Sequence, residues 1–333
     1  MAAGDAVFLT GSSGFVGSHV LRALLEAGYT VRALVRPGSQ SLPPLDGCVP
    51  VHGDLRQPAA LIPKMNGCRY LVHVAALYSF SPSRRGDIWR TNVAGCKGVL
   101  EAAAAAGVER AVVTSSSAAV GPAHDGRPAT EVDFADEGKG SPYHYSKCEQ
   151  ERVALAARLP AVLVLPTAPV GPADWKPTPT GKLIVDFMRG QIFASLGGGM
   201  NVVAVEDVAA AHVLALQHGT PHERYLVGGE NLTFQALWQV LAQTCGRKPP
   251  SMRIPYGLAL TLGWTGELQF RLLHRGRTSD DAPLVPLEGV RMARHYMFVS
   301  DAKARSQLSY SSTSVQAALE RSVKWYYDHG YAQ

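Results

Sequence analysis

Residues 7–17 read Val7-Phe8-Leu9-Thr10-Gly11-Ser12-Ser13-Gly14-Phe15-Val16-Gly17, an apolar run followed directly by three regularly spaced glycines. The run is typical of a buried strand, and the pattern after it predicts a helix over 15–27 that Gly28 ends. Glycine is required where backbone approaches a pyrophosphate, and the free amides of a helix N-terminus favour phosphate. Spacing alone is weak evidence in a chain with 33 glycines. The position between a strand and a helix nevertheless predicts a dinucleotide site.

The rest of the first half alternates short apolar runs with helical patterns. Further helices are predicted at 92–106 and 143–158, and further strands at 30–35, 49–52, 70–75, 111–115 and 161–165. Strands without polar alternation that are joined by helices are typical of a parallel sheet covered on both faces. The sequence therefore predicts an α/β fold, a doubly wound parallel sheet of the Rossmann type.

The pattern changes after Pro166, where residues 166–179 contain five prolines. A loop of this length predicts part of a site. A strand at 201–205 and a helix opening at Asp207 look like a return to the main domain, and helical patterns dominate from Gly229. We therefore expect two interleaved units. The dinucleotide-binding domain covers 1–166 and about 201–228, and a smaller, mostly helical substrate lobe covers 167–200 and 229–333.

The composition is that of an ordinary globular chain of 333 residues, 46% hydrophobic and 18% charged. The net charge of +5 is not concentrated in a basic run, so we expect no nucleic-acid partner. No apolar run reaches the length of a membrane span, and the N-terminus lacks a signal-peptide pattern, so no integral membrane segment is predicted. The five cysteines and eleven histidines show no paired or metal-binding spacing. A reducing cytoplasm and no metal are therefore expected.

The residue after the second predicted strand distinguishes NAD from NADP. An NAD site usually places Asp or Glu about 20 residues beyond the glycines, where it accepts from the ribose 2′-hydroxyl. Arg36 stands 19 residues after Gly17 instead. A guanidinium cannot accept a hydrogen bond, but it pairs well with a 2′-phosphate. We therefore predict NADP(H) as the cofactor, with a solvated surface arginine as the alternative.

Two further segments are expected at the cofactor if the fold is correct. Asp54, with Leu55 beside it, follows the third strand, where a carboxylate could meet the adenine amino group; a helix cap is the alternative. Ala75 and Ala76 end the fourth strand with side chains small enough for backbone to lie against the cofactor; ordinary core packing is the alternative. With these residues, the predicted cofactor contacts up to the fourth strand are Gly11, Ser13, Gly14, Phe15, Val16, Gly17, Arg36, Asp54, Leu55, Ala75 and Ala76.

The segment Tyr143-His144-Tyr145-Ser146-Lys147 places a phenol and an ammonium on one face of a predicted helix. A nearby ammonium lowers the pKa of a phenol, so the tyrosine could exchange a proton with a substrate near neutral pH. Residues 114–117, Thr-Ser-Ser-Ser, close the fifth strand at the edge where such sheets bind ligands. Tyr and Lys at this spacing are more often a surface pair. Combined with the glycine loop and the serines, they predict an active site.

These segments resemble the extended short-chain dehydrogenase/reductase family, the NAD(P)-dependent epimerase/dehydratases. The matching residues are 7–11, 54–55, 73–76, 91–93, the Ser/Tyr/Lys set and 205–208. Residues 176–181, 228–233 and 290–294 are similar to hopanoid-associated sugar epimerases. A basic residue after the second strand is shared with the NADPH-using dihydroflavonol reductases. The resemblance covers nearly the whole chain, most loosely over 251–288.

The resemblance implies roles for the matched side chains. Tyr143 would be the general acid/base, and Lys147 would orient the nicotinamide ribose and lower the pKa of the tyrosine. Ser116 would polarise the substrate oxygen, with Ser117 as the alternative.

Structural roles are implied as well. Asn92 would brace the site, and Pro166 and Thr167 would lie near the nicotinamide. A homodimer through the helices at 92–106 and 143–158 is also implied.

One departure from the family pattern concerns phosphate binding. Relatives that act on nucleotide-diphosphate sugars commonly carry an arginine where this chain has Met200, with Asn201 beside it. A second family arginine would correspond to Arg291. The missing arginine argues against a nucleotide-sugar substrate. The apolar residues around Trp264 and Phe270 would suit a lipid-like or aromatic substrate instead. Core packing of an extra helix is the alternative explanation for these residues.

Three functions follow from these observations. The leading one is an NADP-dependent, sugar-epimerase-like enzyme that acts on a secondary alcohol or ketone by hydride transfer. The second is an NADPH-dependent carbonyl reductase similar to dihydroflavonol reductases. The third, a redox-silent NADP-binding scaffold, is disfavoured because a scaffold needs none of Ser116, Tyr143 and Lys147. All three require a small-molecule ligand.

Overall fold

A parallel sheet forms the centre of the chain, in a computed structural model that describes residues 4–38, 44–79, 84–123, 125–135, 141–273 and 287–332. The strands are β1 (Ala6–Thr10), β2 (Thr30–Val35), β3 (Cys48–His52), β4 (Tyr70–His73), β5 (Arg110–Thr114), β6 (Ala161–Pro166), β7 (Ala168–Val170), β8 (Ala194–Ser195), β9 (Gly199–Ala204), β10 (Arg224–Val227), β11 (Glu230–Thr233), β12 (Met252–Arg253) and β13 (Tyr296–Met297). The helices are α1 (Phe15–Glu26), α2 (Ile62–Met65), α3 (Arg85–Trp89), α4 (Gly95–Ala105), α5 (Pro142–Leu155), α6 (Pro179–Met188), α7 (Val205–His218), α8 (Phe234–Cys245), α9 (Tyr256–Leu273), α10 (Leu287–Met292), α11 (Ala302–Leu308) and α12 (Val315–Asp328).

Seven strands pair in the order β10-β6-β5-β4-β1-β2-β3, and every neighbouring pair is parallel. The chain proceeds outward from β1 in one direction to β3 and then in the other from β4, which leaves a crevice at the carboxyl ends of β1 and β4. Apolar residues of α1 and α7 cover one face of the sheet, and those of α4 cover the other. The predicted doubly wound α/β fold is confirmed.

A second layer stands beside the main sheet. Strands β7, β11 and β13 pair with β9, and α6, α8 and α12 pack around them. The strand predicted to return to the main domain, β9, lies in this smaller sheet, whereas α7 does pack against α1. The main sheet gains β10 at its edge instead, a strand that the sequence did not indicate. The substrate lobe thus contains small sheets besides its helices, and the division of the chain into two units stays a prediction.

The predicted helix at 92–106 has a different start. Helix α3 comes first, a five-residue π-helical turn covers Arg90–Ala94, and α4 begins at Gly95. The preceding strand β4 ends at His73 rather than at residue 75, so the segment after it is free to line the crevice. The apolar stretch Tyr256–His274 is also expected to be helical from the sequence; α9 begins at Tyr256, and His274 lies outside the described residues.

Candidate active site

A cleft of about 710 Å³ opens at the carboxyl ends of the central strands. All the predicted site residues line it: Gly11, Ser13, Gly14, Phe15, Val16, Gly17, Arg36, Asp54, Leu55, Ala75, Ala76, Ser116, Tyr143, Lys147, Pro166 and Thr167. The alternative serine, Ser117, also lines the cleft. Segments that are far apart in the sequence therefore meet in one cavity, as the topology of the sheet predicts.

The glycine loop is shaped by close backbone packing at two of its three glycines. Gly11 has a φ of +80°, and a Cβ added there would lie 2.6 Å from the Ala75 nitrogen. A Cβ at Gly17 would collide with the Gly11 carbonyl oxygen. Side chains at these two positions are therefore excluded by the protein itself.

Gly14 differs from its neighbours because the protein does not require it to be glycine. Its φ of −86° suits any residue, and an added Cβ would lie 3.3 Å from Gly11 O, a tight contact but not a collision. It precedes α1, and no side chain of the described residues caps this helix. Uncapped first-turn amides beside a bare backbone form a cradle that a Cβ would partly fill, which fits a pyrophosphate. The residues of the loop therefore fit a dinucleotide.

Substitution of Gly14 by alanine separates ligand binding from folding. We expect Gly14→Ala to keep the unmodified melting temperature within a few degrees and to weaken NADPH binding about tenfold or more, since the methyl group occupies space that a phosphate needs. Fluorescence titration of NADPH measures the affinity. Gly197→Ala is the matched control, because no atom lies within 4 Å of a Cβ there. Unchanged NADPH affinity in Gly14→Ala would contradict the phosphate cradle.

Asp54 and Arg56 are among the charged residues that line the cleft together with Arg36. Asp54 was expected to meet an adenine or to cap a helix, and in the structure it pairs with Arg56, whose Nε lies 2.9 Å from Asp54 Oδ2. The Arg56 hydrogen bond lowers the pKa of Asp54, although burial opposes it, and Arg36 adds to the lowering. Arg56 also lines the cleft and was missed from the sequence. A single charged residue in a short polar loop gives no signal that distinguishes a site from a solvated surface.

Tyr143 and Lys147 are positioned by the first turns of α5. Ser141 caps the helix by accepting from the His144 amide, and Pro142 occupies the first helical position. The ammonium nitrogen of Lys147 lies 5.9 Å from the centre of the Tyr143 ring. Ser116, which follows β5, hydrogen-bonds to Tyr143 through its side chain. The structure thus brings the three predicted catalytic side chains together.

The protonation of the pair differs from the sequence-based expectation. Burial raises the pKa of Tyr143 to about 12, and the hydrogen bond with Ser116 acts in the opposite direction. Burial lowers the pKa of Lys147 to about 8, while Cys96 and Glu151 oppose that shift. The predicted lowering of the tyrosine pKa by Lys147 is wrong for the protein chain alone. Lys147 Nζ donates to the Thr114 carbonyl oxygen at 3.0 Å and to Gln150 Oε1 at 2.8 Å rather than to the phenol.

A second tyrosine covers the first. Tyr78 stacks on Tyr143 with ring centres 4.2 Å apart and planes inclined by 27°. Asn92 fixes the segment that carries Tyr78: its Oδ1 accepts from the Leu77 amide, and its Nδ2 donates to Leu77 O and to Ser146 Oγ on α5. Asn92 therefore braces the site structurally, as the resemblance implies. The stacked Tyr78 was missed, because it follows the strand without any motif.

Arg84, Asp87 and Arg90 also line the cleft, whereas the end formed by residues 178–297 carries no charged side chain among the described residues. This end is lined by Thr178, Pro179, Thr180, Leu183, Gly199, Met200, Asn201, Phe234, Gly289, Met292, Ala293 and Met297. Met200, the position at which the resemblance implies an arginine in nucleotide-sugar enzymes, is part of this lining. Arg291, the second arginine considered, is exposed, lies 6.0 Å from the Trp264 ring and does not line the cleft. This end combines apolar side chains with the uncharged polar groups of Thr178, Thr180 and Asn201.

Two kinds of feature are absent from the part of the chain that the structure describes. No group of three or more His, Cys, Asp or Glu side chains is arranged to hold a metal ion. Within the same residues, no helix has the length and apolar character needed to cross a bilayer.

The fold and the site together define an enzyme with a nucleotide cofactor, and comparison with known proteins identifies its family. The model of the NAD dependent epimerase/dehydratase family matches residues 7–228. The chain belongs to this family, the extended short-chain dehydrogenase/reductases, whose members are NAD(P)-dependent epimerases, dehydratases and reductases. The family resemblance predicted from the sequence is therefore confirmed.

Individual relatives carry several names. The "Putative dihydroflavonol 4-reductase" of Synechocystis is 40% identical, over 100% of this chain and 98% of its own length. Sterol demethylase protein B of Methylococcus capsulatus is 31% identical, over 97% of this chain and 98% of its own length. The crystal structure of a nucleoside-diphosphate-sugar epimerase from Pseudomonas aeruginosa superposes with a TM-score of 0.80 at 25% identity, covering 99% of both chains.

Proposed function

We propose that this chain is an NADP(H)-dependent oxidoreductase that reduces an apolar ketone to a secondary alcohol, with Tyr143 as the acid/base. The observation that carries the proposal is the uncharged end of the cleft, formed by residues 178–297, which belongs to the same cavity as Ser116, Tyr143 and Lys147. A substrate with a phosphate would need cations there to offset its desolvation.

The cofactor would be held by the glycine loop, by Arg36 at the 2′-phosphate and by Lys147 at the nicotinamide ribose. Bound there, NADPH supplies the hydride that a carbonyl carbon accepts. The alanines after β4 and residues 166–167, at the end of β6 and just after it, line the same cleft as the loop and Tyr143. Their small side chains leave room for a flat ring beside the phenol.

The protein supplies the proton. With a pKa of about 12, Tyr143 is protonated at neutral pH, and this is the form that reduction requires, since the phenol donates to the carbonyl oxygen as it becomes an alkoxide. The Ser116 hydroxyl, already bonded to the phenol, is placed to donate to the same oxygen. Lys147 in its charged form would stabilise the phenolate that remains.

The names of the relatives support reduction of an apolar substrate. One is named a dihydroflavonol 4-reductase and another a sterol demethylase protein, and flavonoids and sterols carry no phosphate. The second candidate is an epimerase, the function that the sequence placed first, and the likeness to a nucleoside-diphosphate-sugar epimerase favours it. An epimerase returns its cofactor unchanged, whereas a reductase consumes it.

The experiment that separates the two follows NADPH absorbance with a steroid ketone, a dihydroflavonol and a nucleotide sugar. A reductase oxidises NADPH with one of the first two substrates and stops when the cofactor is exhausted. Isomerisation of the nucleotide sugar with no net loss of cofactor would reject the proposal in favour of the epimerase.

Arg36 is expected to determine the choice of cofactor. Arg36→Glu removes the partner of the 2′-phosphate and offers an acceptor to a ribose hydroxyl, so the preference for NADPH over NADH should invert. The loss of one charge-assisted contact corresponds to about tenfold or more in NADPH affinity. Fluorescence titrations with both cofactors measure the ratio, and Arg22→Glu, on α1 and outside the cleft lining, is the control. Equal affinity of the unmodified protein for both cofactors would contradict the role of Arg36.

The oligomeric state and the cellular compartment also remain proposals. A homodimer through α4 and α5 follows from the family resemblance, and the molar mass in solution tests it. A reducing cytoplasm is supported by the five unpaired cysteines.

A further inference from the structure

Helix α9 exposes an apolar side. Leu258, Leu262, Trp264 and Leu268 keep 55%, 44%, 58% and 60% of their surface exposed. At 3.6 residues per turn, the four positions fall within about half of the helix circumference, in an arc that also contains Thr261, Thr265 and Gln269. Large apolar residues are ordinarily exposed singly, and a contiguous patch on a soluble domain marks an interaction site.

The two threonine hydroxyls on the same side are already satisfied within the helix, and Gln269 is the exposed polar side chain beside them. Thr261 Oγ1 donates to the Gly257 carbonyl oxygen at 3.0 Å, and Thr265 Oγ1 donates to Thr261 O at 3.1 Å. Glu267 is the one charged residue between Tyr256 and Phe270, and it is half-buried. Hydroxyls that bond to their own helix lose little when water is removed, so this side suits an apolar medium.

Cationic side chains stand at the border of the apolar side. The Arg291 guanidinium lies 6.0 Å from the exposed Trp264 ring, and that of Arg294 lies 5.3 Å from the Tyr256 ring. Both arginines are exposed. Leucine and tryptophan side chains can enter the interface of a bilayer, and nearby arginines are attracted to anionic lipid headgroups. This combination favours an anionic bilayer surface.

The same two helices connect this surface to the cleft. Helix α10 packs on α9, where a Cβ added at Gly263 would lie 3.1 Å from Leu287 Cα. Met292 and Ala293, at and just after the end of α10, line the uncharged end of the cleft. The outer side of α9 is therefore separated from the substrate end by the packed pair of α9 and α10.

We infer that the exposed side of α9 docks on an anionic lipid bilayer and that the enzyme takes its apolar substrate from that membrane. The substrate part of this inference rests on the proposed function; the docking does not. The inferred docking is attachment to the membrane surface and requires no membrane-spanning segment.

Vesicle sedimentation tests the docking without any substrate. The unmodified protein should sediment with vesicles made of equal parts phosphatidylglycerol and phosphatidylcholine, and only weakly with pure phosphatidylcholine. Trp264→Glu/Leu268→Glu should abolish sedimentation. Arg291→Gln/Arg294→Gln should weaken it about 30-fold, as expected for two surface cations.

The control is Val49→Glu/Val132→Glu, which places the same charges at two exposed apolar positions outside α9. It should sediment like the unmodified protein. Retained NADPH binding verifies that each variant is folded, and it separates failure of docking from failure of the proposed function.

Three results would overturn the inference. They are the absence of sedimentation by the unmodified protein, equal sedimentation of the α9 variant, and a solution dimer that the α9 variant dissociates without vesicle binding. The last result would assign this surface to a second copy of the chain.

Discussion

Tyr143→Phe should lower turnover by roughly two to four orders of magnitude while leaving NADPH affinity close to that of the unmodified protein. The variant keeps the ring that stacks on Tyr78 and removes only the hydroxyl that bonds to Ser116. The proton donor is lost, but the shape of the cleft is not. Steady-state rates with the ketone that proves active, together with NADPH titration, measure the two effects separately.

The neighbouring Tyr145 provides the control for this substitution. It lies two residues along α5, is 36% exposed and does not line the cleft, so Tyr145→Phe should keep nearly full activity. Near-normal turnover of Tyr143→Phe would mean that another group supplies the proton. An equal loss in both variants would point to a general effect on α5.

The second large effect concerns stability. Arg224, at the start of β10, places Nε 2.8 Å from Glu151 Oε2, and both side chains are almost completely buried. Glu151 also accepts from Ser115 Oγ at 2.5 Å, directly before the proposed catalytic serine. Arg224→Met leaves a buried carboxylate without its cation, which costs about 3–5 kcal/mol of the free energy of unfolding. Denaturant titration measures the loss.

The pH dependence of this loss identifies its cause. Burial raises the pKa of Glu151, and Arg224 opposes the shift, so the variant raises the folded-state pKa further. A carboxyl group with a raised folded pKa destabilises the fold above that pKa, and the cost disappears below the unfolded value of about 4.3. The difference between variant and unmodified protein should therefore be largest at neutral pH and shrink towards pH 4.

Two comparison variants complete the stability test. Glu151→Gln added to Arg224→Met should recover part of the loss, because no buried charge remains unpaired. Lys324→Met breaks an exposed pair with Asp328 and should cost at most about 1 kcal/mol. A similar small cost for Arg224→Met, independent of pH, would contradict the importance of the buried pair.

The sequence predicted the cofactor half of the cleft well, because its signals are local. Residues 7–17 contain the strand, the turn and the helix start in one stretch, and the spacing of Tyr143 and Lys147 follows from the helix repeat alone. Arg36 needed only the end of β2 to be placed at the cleft. In each case the backbone pattern within a few residues fixes where the side chain lies.

The remaining parts depend on contacts that are distant in the sequence. β10 is a four-residue strand whose place at the sheet edge is determined by β6, and β9 joined the smaller sheet because β11 and β7 are its neighbours. The pKa of Tyr143 was misjudged because desolvation of the partly buried phenol raises it and because Lys147 is engaged by Thr114 and Gln150. Burial and competing partners become visible only in the folded chain.

The most direct measurement follows the fate of deuterium carried on NADPH at the transferable position of the nicotinamide. The unmodified enzyme should deliver one deuterium to the carbinol carbon of each alcohol formed from an apolar ketone, with one NADPH consumed per product. Tyr143→Phe should slow this transfer without changing its destination. A product that contains no deuterium, or an isomerised substrate with NADPH intact, would contradict the assignment of this cleft as the site of a net reduction.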